Sequence, residues 1–145
     1  MVKKILALLM LAVMLSACGK EKSAGDSVTV SEPAETTEDN MLTYEQITAE
    51  DAKKLMDIES DYIIVDARTP EEFAEGHIPG AILIPEYEIA ERAESELKDK
   101  KQLILVYCRS GRRSKIASQT LAELGYTNVK EFGGIIEWAY DVVTD

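Results

Sequence analysis

Apolar and polar positions along the chain follow two rhythms. Tyr62-Ile63-Ile64-Val65-Asp66-Ala67 and Leu103-Ile104-Leu105-Val106-Tyr107-Cys108 are short continuous apolar runs, the pattern of strands covered on both faces in a parallel sheet. Met41 to Ile47 is expected to begin with a short strand. Ala81-Ile82-Leu83-Ile84 is expected to form another after the turn His77-Ile78-Pro79-Gly80, and Val129-Lys130-Glu131-Phe132 is expected to be the last. Between them the period changes to that of helices. Thr48-Ala49-Glu50-Asp51 opens one like a capping box with Asp in the Glu position, its stripe being Ala52, Leu55, Met56 and Ile58. Thr69-Pro70-Glu71-Glu72 opens a second, stopped by Gly76. Glu86 to Lys98 presents Ile89, Ala93 and Leu97, with Ala90 beside them, and Lys98, Lys100 and Lys101 suit its C-terminal dipole. A fourth helix follows Cys108, with an expected buried face of Ile116, Ala117, Thr120, Leu121 and Leu124, and Gly125 behind it. Strands alternating with helices predict an α/β fold, a mostly parallel central sheet with helices on both faces. Ligands of such sheets bind beyond the carboxyl ends of the strands, where Cys108 stands.

The first forty residues have a different character. Met1-Val2-Lys3-Lys4 is basic, and Ile5 to Leu15 is an apolar run of eleven residues, too short to span a bilayer and suited to a signal segment. Leu15-Ser16-Ala17-Cys18 resembles the lipobox of bacterial lipoproteins, which implies removal of residues 1–17 and lipidation of Cys18. Residues 18–41 hold only two valines between Cys18 and Met41, the rest of that stretch being small, polar or charged, and bury too little apolar area to offset ordering. They read as a tether averaging on the order of 25 Å end to end, with the folded domain at 42–145. The expected location is the extracytoplasmic face of a bacterial membrane, held there through the lipid.

The 145 residues carry a formal net charge of −11; cleavage before Cys18 leaves 14 basic and 27 acidic side chains, a net −13. Binding to nucleic acid through a broad basic surface does not fit that balance. Two cysteines and one histidine, His77, make no Cys/His metal cluster, and neither metal nor cofactor is expected. With Cys18 lipidated, Cys108 is the remaining thiol. A lone exposed thiol outside the cytosol is open to oxidation, so its presence points to use.

Cys108 is followed by Arg109-Ser110-Gly111-Arg112-Arg113-Ser114 and then a helix. A helix N-terminus and converging loop amides favour a thiolate and bind anions. Gly111 permits the curl, Ser110 and Ser114 add donors, and three arginines add permanent charge. A fitting electrophile is anionic and expels a stable anion, as thiosulfate expels sulfite. Cys-based phosphatase loops place Arg six positions after the cysteine, whereas Ser114 stands here and Tyr107 precedes the thiol. Phosphate is therefore disfavoured.

Four stretches together resemble the single-domain rhodaneses: Val65-Asp66-Ala67-Arg68 with Glu71-Glu72-Phe73; Gly76-His77-Ile78-Pro79-Gly80-Ala81; Cys108 to Ser114; and Gly133-Gly134 with Trp138. The resemblance implies a sulfurtransferase with a persulfide at Cys108, a substrate loop of Arg109, Ser110, Gly111, Arg112, Arg113 and Ser114, and no cofactor. It implies that Asp66 and Arg68 support the loop, that His77 is a hydrogen-bonding turn residue, and that Trp138 packs the core or rim. The implied partners are a small anionic sulfur donor, a thiol or cyanide acceptor, and a sulfur-acceptor protein. The alternative within the same fold is a persulfide carrier with little turnover alone.

Overall fold

The computed structural model describes residues 43–144. The expected signal segment 1–17, the lipidation site Cys18, the tether 18–41 and the expected start of the first strand at Met41 and Leu42 lie outside the described residues.

Five strands, β1 (Glu45–Gln46), β2 (Tyr62–Asp66), β3 (Ala81–Leu83), β4 (Leu103–Cys108) and β5 (Val129–Gly134), form one sheet in the order β1-β5-β4-β2-β3. Every neighbouring pair is parallel. The helices are α1 (Ala49–Ile58), α2 (Pro70–Glu75), α3 (Ile89–Glu96) and α4 (Arg112–Glu123). All six residues of β4 are buried, which accounts for the unbroken apolar run. Alternate residues of β4 enter two apolar layers. Ile104, Val106 and Cys108 join Ile89, Ala93 and Leu97 of the α3 segment and Ala117 and Leu121 of α4. Leu103, Leu105 and Tyr107 join Ala52 of α1, with Leu55 and Met56 packed alongside. Helices thus cover both faces, as the sequence predicts.

The local start signals work as written. Thr48 Oγ1 accepts from Asp51 N at 3.1 Å. Thr69 and Glu72 form a reciprocal capping box with Pro70 in the first turn. Several expectations need correction. β1 has two residues. The helix expected over Glu86 to Lys98 divides into a 3-10 turn at Glu86–Glu88 and the eight-residue α3; the turn is held where Glu86 N bonds Ala67 O at 3.2 Å. Lys100 serves two helices: its Nζ donates to Glu94 Oε1 of α3 at 2.6 Å and to Leu124 O, just past the end of α4, at 2.7 Å. Ile58, Ala90 and Ile116 are exposed, Ile58 by 74% and Ile116 by 42%. The buried stripe of α4 is Ser114, Ala117, Ser118, Leu121 and Ala122, displaced from the expected face and made mostly of small side chains.

The last strand runs two residues beyond the expected Phe132. Val106 pairs with Glu131 while Cys108 pairs with Gly134, so β5 carries one extra residue, a β-bulge. Gly133 takes it up at φ +88°, a conformation glycine adopts without steric cost.

Candidate active site

The carboxyl end of β4 meets the N-terminus of α4 through three residues, Arg109, Ser110 and Gly111. Gly111, at φ +95°, is the helix N-cap. The curl returns its amide to the sulfur, with Gly111 N 3.1 Å from Cys108 Sγ. Ser114 Oγ lies 3.4 Å from Sγ on the next turn. Burial pushes the thiol up, while the Ser114 hydroxyl, when its hydrogen is turned to sulfur, and the amides of Ser114, Ser110 and Gly111 push it down, and the donors win: Cys108 falls below the ordinary thiol value. The amide nest and helix N-terminus expected from the sequence are therefore present, and they dominate the electrostatics of the sulfur. Cys108 is only 1% exposed. The expectation of an exposed thiol is corrected, because the loop curls over the sulfur and leaves the approach to small reagents.

The three arginines divide into two kinds. Arg113 forks onto Glu72, Nη1 to Oε2 at 2.6 Å and Nη2 to Oε1 at 2.8 Å. Glu72 at the same time accepts from Thr69 N in the α2 capping box. The guanidinium holds the Glu72 carboxyl down to about 2, against the cost of desolvation and with help from the Thr69 amide. Arg113 thereby ties the active loop to the start of α2. Arg109 and Arg112 are exposed, and neither has an ion-pair partner among the described residues. They are the free cations of the rim.

Asp66 and Arg68 form a buried fork beside the strand end. Arg68 Nε lies 2.9 and 3.0 Å from the Asp66 oxygens, and its Nη2 lies 2.6 Å from Oδ2. Arg68 Nη2 also donates to Gly76 O at 2.7 Å, and its guanidinium carbon is 5.7 Å from the centre of the Tyr107 ring. Tyr107 O accepts from Ala67 N at 2.9 Å, and its hydroxyl accepts from Ile78 N at 3.1 Å. Burial, followed by the Asp66 carboxylate, raises the Tyr107 phenol far above its ordinary value, so it stays neutral. Pairing of this kind is what a buried charge requires. His77 stacks on Phe73 with 3.7 Å between centroids, and its Nδ1 is 3.0 Å from Phe73 O. Trp138 packs on Phe132 and Tyr140.

Sequence reasoning missed Glu131. It is 2% exposed, and its Oε1 accepts from Ser114 Oγ at 2.6 Å and from Gly133 N at 2.9 Å. The signal was present: a strand with Val129 and Glu131 at spacing two puts a carboxylate on a buried face.

Comparison with known proteins agrees with this geometry. Residues 48–141 match the family model described as a rhodanese-like domain, and the chain belongs to that family. It is 42% identical over 71 residues to the thiosulfate sulfurtransferase PspE of Escherichia coli (strain K12), covering 49% of this chain and 68% of that protein. It is 43% identical over 89 residues to a sulfurtransferase of Allochromatium vinosum, covering 61% of this chain and 80% of the other. Among solved structures, a rhodanese with anions from E. coli superposes with a TM-score of 0.55 at 38% identity, over 58% of this chain and 99% of that one.

Proposed function

We propose that the chain is a sulfurtransferase that takes sulfane sulfur from thiosulfate or a similar anionic donor and carries it as a Cys108 persulfide. The observation that carries this reading is the Cys108 sulfur in its amide cradle, Gly111 N at 3.1 Å, with two guanidiniums on the rim that have no ion-pair partner among the described residues. The relatives named sulfurtransferases support it.

The chemistry follows from the geometry. The Cys108 thiolate attacks the outer sulfur of thiosulfate. The sulfur–sulfur bond breaks, and sulfite leaves with the electron pair. The terminal sulfur of the resulting persulfide sits over the amides of the loop, where preorganised donors stabilise developing negative charge. A thiol or cyanide then attacks that terminal sulfur, and Cys108 leaves as the thiolate. Because the donors already lower the thiol, the first step needs no separate base. Arg109 and Arg112 recruit the dianionic donor, while Ser110, Gly111, Arg113 and Ser114 shape the cradle. Asp66 and Arg68 support it through Tyr107, next to Cys108 on β4.

The test is incubation with thiosulfate and cyanide, reading sulfite and thiocyanate, together with the intact mass of the protein. One added sulfur on the native chain, turnover, and loss of both in Cys108→Ser are expected. A stable adduct without turnover assigns the chain as a carrier acting with a partner protein. No adduct with any sulfane donor overturns the reading.

The same proposal places the reaction outside the cytoplasm, on the strength of the sequence at 1–18. Fatty-acid labelling that is lost in Cys18→Ala tests it, and an unlabelled chain retaining residues 1–17 refutes it.

A further inference from the structure

Glu131 has no part in the transfer steps, yet it lies one hydroxyl away from the reacting sulfur. Ser114 Oγ is 2.6 Å from Glu131 Oε1, 3.1 Å from Gly111 O, 3.2 Å from Gly133 O and 3.4 Å from Cys108 Sγ. A serine hydroxyl has one hydrogen to give, so four acceptors compete for it. Bonds to a carboxylate are short and roughly twice as strong as neutral ones, and Glu131 holds the shortest contact. The Ser114 hydroxyl lowers the Cys108 thiol only when its hydrogen turns to sulfur, and Glu131 opposes that turn.

We propose that Glu131 is a positioning residue: it claims the Ser114 hydroxyl hydrogen, turns an oxygen lone pair toward Cys108 Sγ, and so limits how acidic the reacting thiol becomes. The proposal rests on Cys108 as the reacting sulfur. In the thiol state the lone pair accepts S–H. In the thiolate state the backbone amides alone face the sulfur unless Ser114 abandons a buried carboxylate. A less acidic thiol gives a more nucleophilic thiolate and a poorer leaving group. Glu131 therefore favours attack on the donor over release to the acceptor. The other titratable groups nearby are Arg113 on α4, whose charge interacts with Cys108, Tyr44 ahead of β1, which feels Glu131, and Glu137, whose Oε2 is 3.2 Å from where a Gly133 Cβ would stand. All are common to the variants compared below.

The experiment measures the pH dependence of Cys108 alkylation by iodoacetamide in the full chain, read by mass on the tryptic peptide of residues 102–109, which excludes Cys18. Glu131→Gln, nearly isosteric and still an acceptor for Gly133 N, should move the midpoint down by about one unit, the size of one hydrogen bond gained by a thiolate. The same substitution in a Ser114→Ala background should move it far less. Ser114→Ala alone should leave the midpoint in place or lower it slightly, because the hydroxyl was accepting from S–H and not donating to sulfur. An unmoved or raised midpoint in Glu131→Gln overturns the proposal, as does an equal shift in both backgrounds. If Glu131→Gln does not fold, Ser114→Ala decides alone: a midpoint raised by about one unit means that Ser114 donates to sulfur and the proposal is wrong. Alkylation needs no sulfur donor, so failure of the sulfurtransferase reading leaves this result interpretable.

Discussion

Gly134→Ala tests whether the second glycine of Gly133-Gly134 is there for space. Gly134 has φ −130° and ψ 152°, an extended conformation open to any residue, so no backbone preference requires glycine. What requires it is the active loop. A Cβ on Gly134 would stand 2.1 Å from Arg109 O, 2.5 Å from Arg109 C and 2.6 Å from Ser110 Cα. Ordinary carbon–oxygen contacts are no closer than about 3.3 Å, so β5 and the loop must separate by roughly 1 Å. All three atoms are backbone and cannot rotate aside. Overpacking of this kind costs about 1–3 kcal/mol or more. The same displacement pulls on the loop that holds Gly111 N against Cys108 Sγ, and a 1 Å error at a reacting centre can cost about 10²-fold in rate. Urea denaturation should show a lower midpoint with an unchanged slope, and thiosulfate turnover should fall about 10–10²-fold. Gly133→Ala is the control. It is strained by its positive φ, but the nearest atom to its Cβ is the end of the Glu137 side chain at 3.2 Å, so it should lose stability by about 1–2 kcal/mol with a smaller rate effect. A Gly134→Ala protein with native stability and native turnover would refute the close-approach argument.

Arg112→Ala should raise the KM for thiosulfate and leave the stability unchanged, since its guanidinium is exposed and unpaired among the described residues. Arg113→Ala should instead lower stability by about 1–3 kcal/mol, the range for hydrogen bonds to charged groups, as it strands Glu72; steady-state kinetics and urea melts on the pair separate the roles, and identical profiles would contradict the division. Glu72 is held down to about 2 in the fold, below its unfolded value, so its contribution is complete above the ordinary carboxylate range and is lost as pH falls toward 2. Glu72→Gln should therefore flatten the stability curve between about pH 4.5 and 2, and a curve parallel to that of the native chain would count against the pair. Ser118 Oγ is buried without a hydrogen-bond partner among the described residues, so Ser118→Ala should leave thermal stability equal or raise it by up to about 1 kcal/mol; a clear loss would show that the hydroxyl is bonded after all.

The contrast between Arg112 and Arg113 shows where the sequence stops being legible. The strands could be read because a parallel sheet demands apolar residues on both faces, and β4 meets that demand at all six positions. The cradle could be read because its parts are contiguous: a strand end, a glycine with freedom to curl, and a helix start within seven residues. Local chemistry of this kind is written in order along the chain. The three arginines look alike in sequence, but their roles are assigned by partners elsewhere, and Glu72 lies 41 positions from Arg113. Glu131 was hidden for the same reason, because its meaning depends on Ser114 arriving over the bulge of β5. Ile116 failed differently. Hydrophobicity alone favours burying the larger aliphatic, whereas the face of α4 that continues from Ser114 to Ser118 and Ala122 carries small residues. A helix whose first turn must bring a hydroxyl within 3.4 Å of a strand-end sulfur turns that same face to the sheet along its length, and Ile116 lies off it. The site thus sets the packing of α4, and the exposed isoleucine is a consequence of where Ser114 has to be.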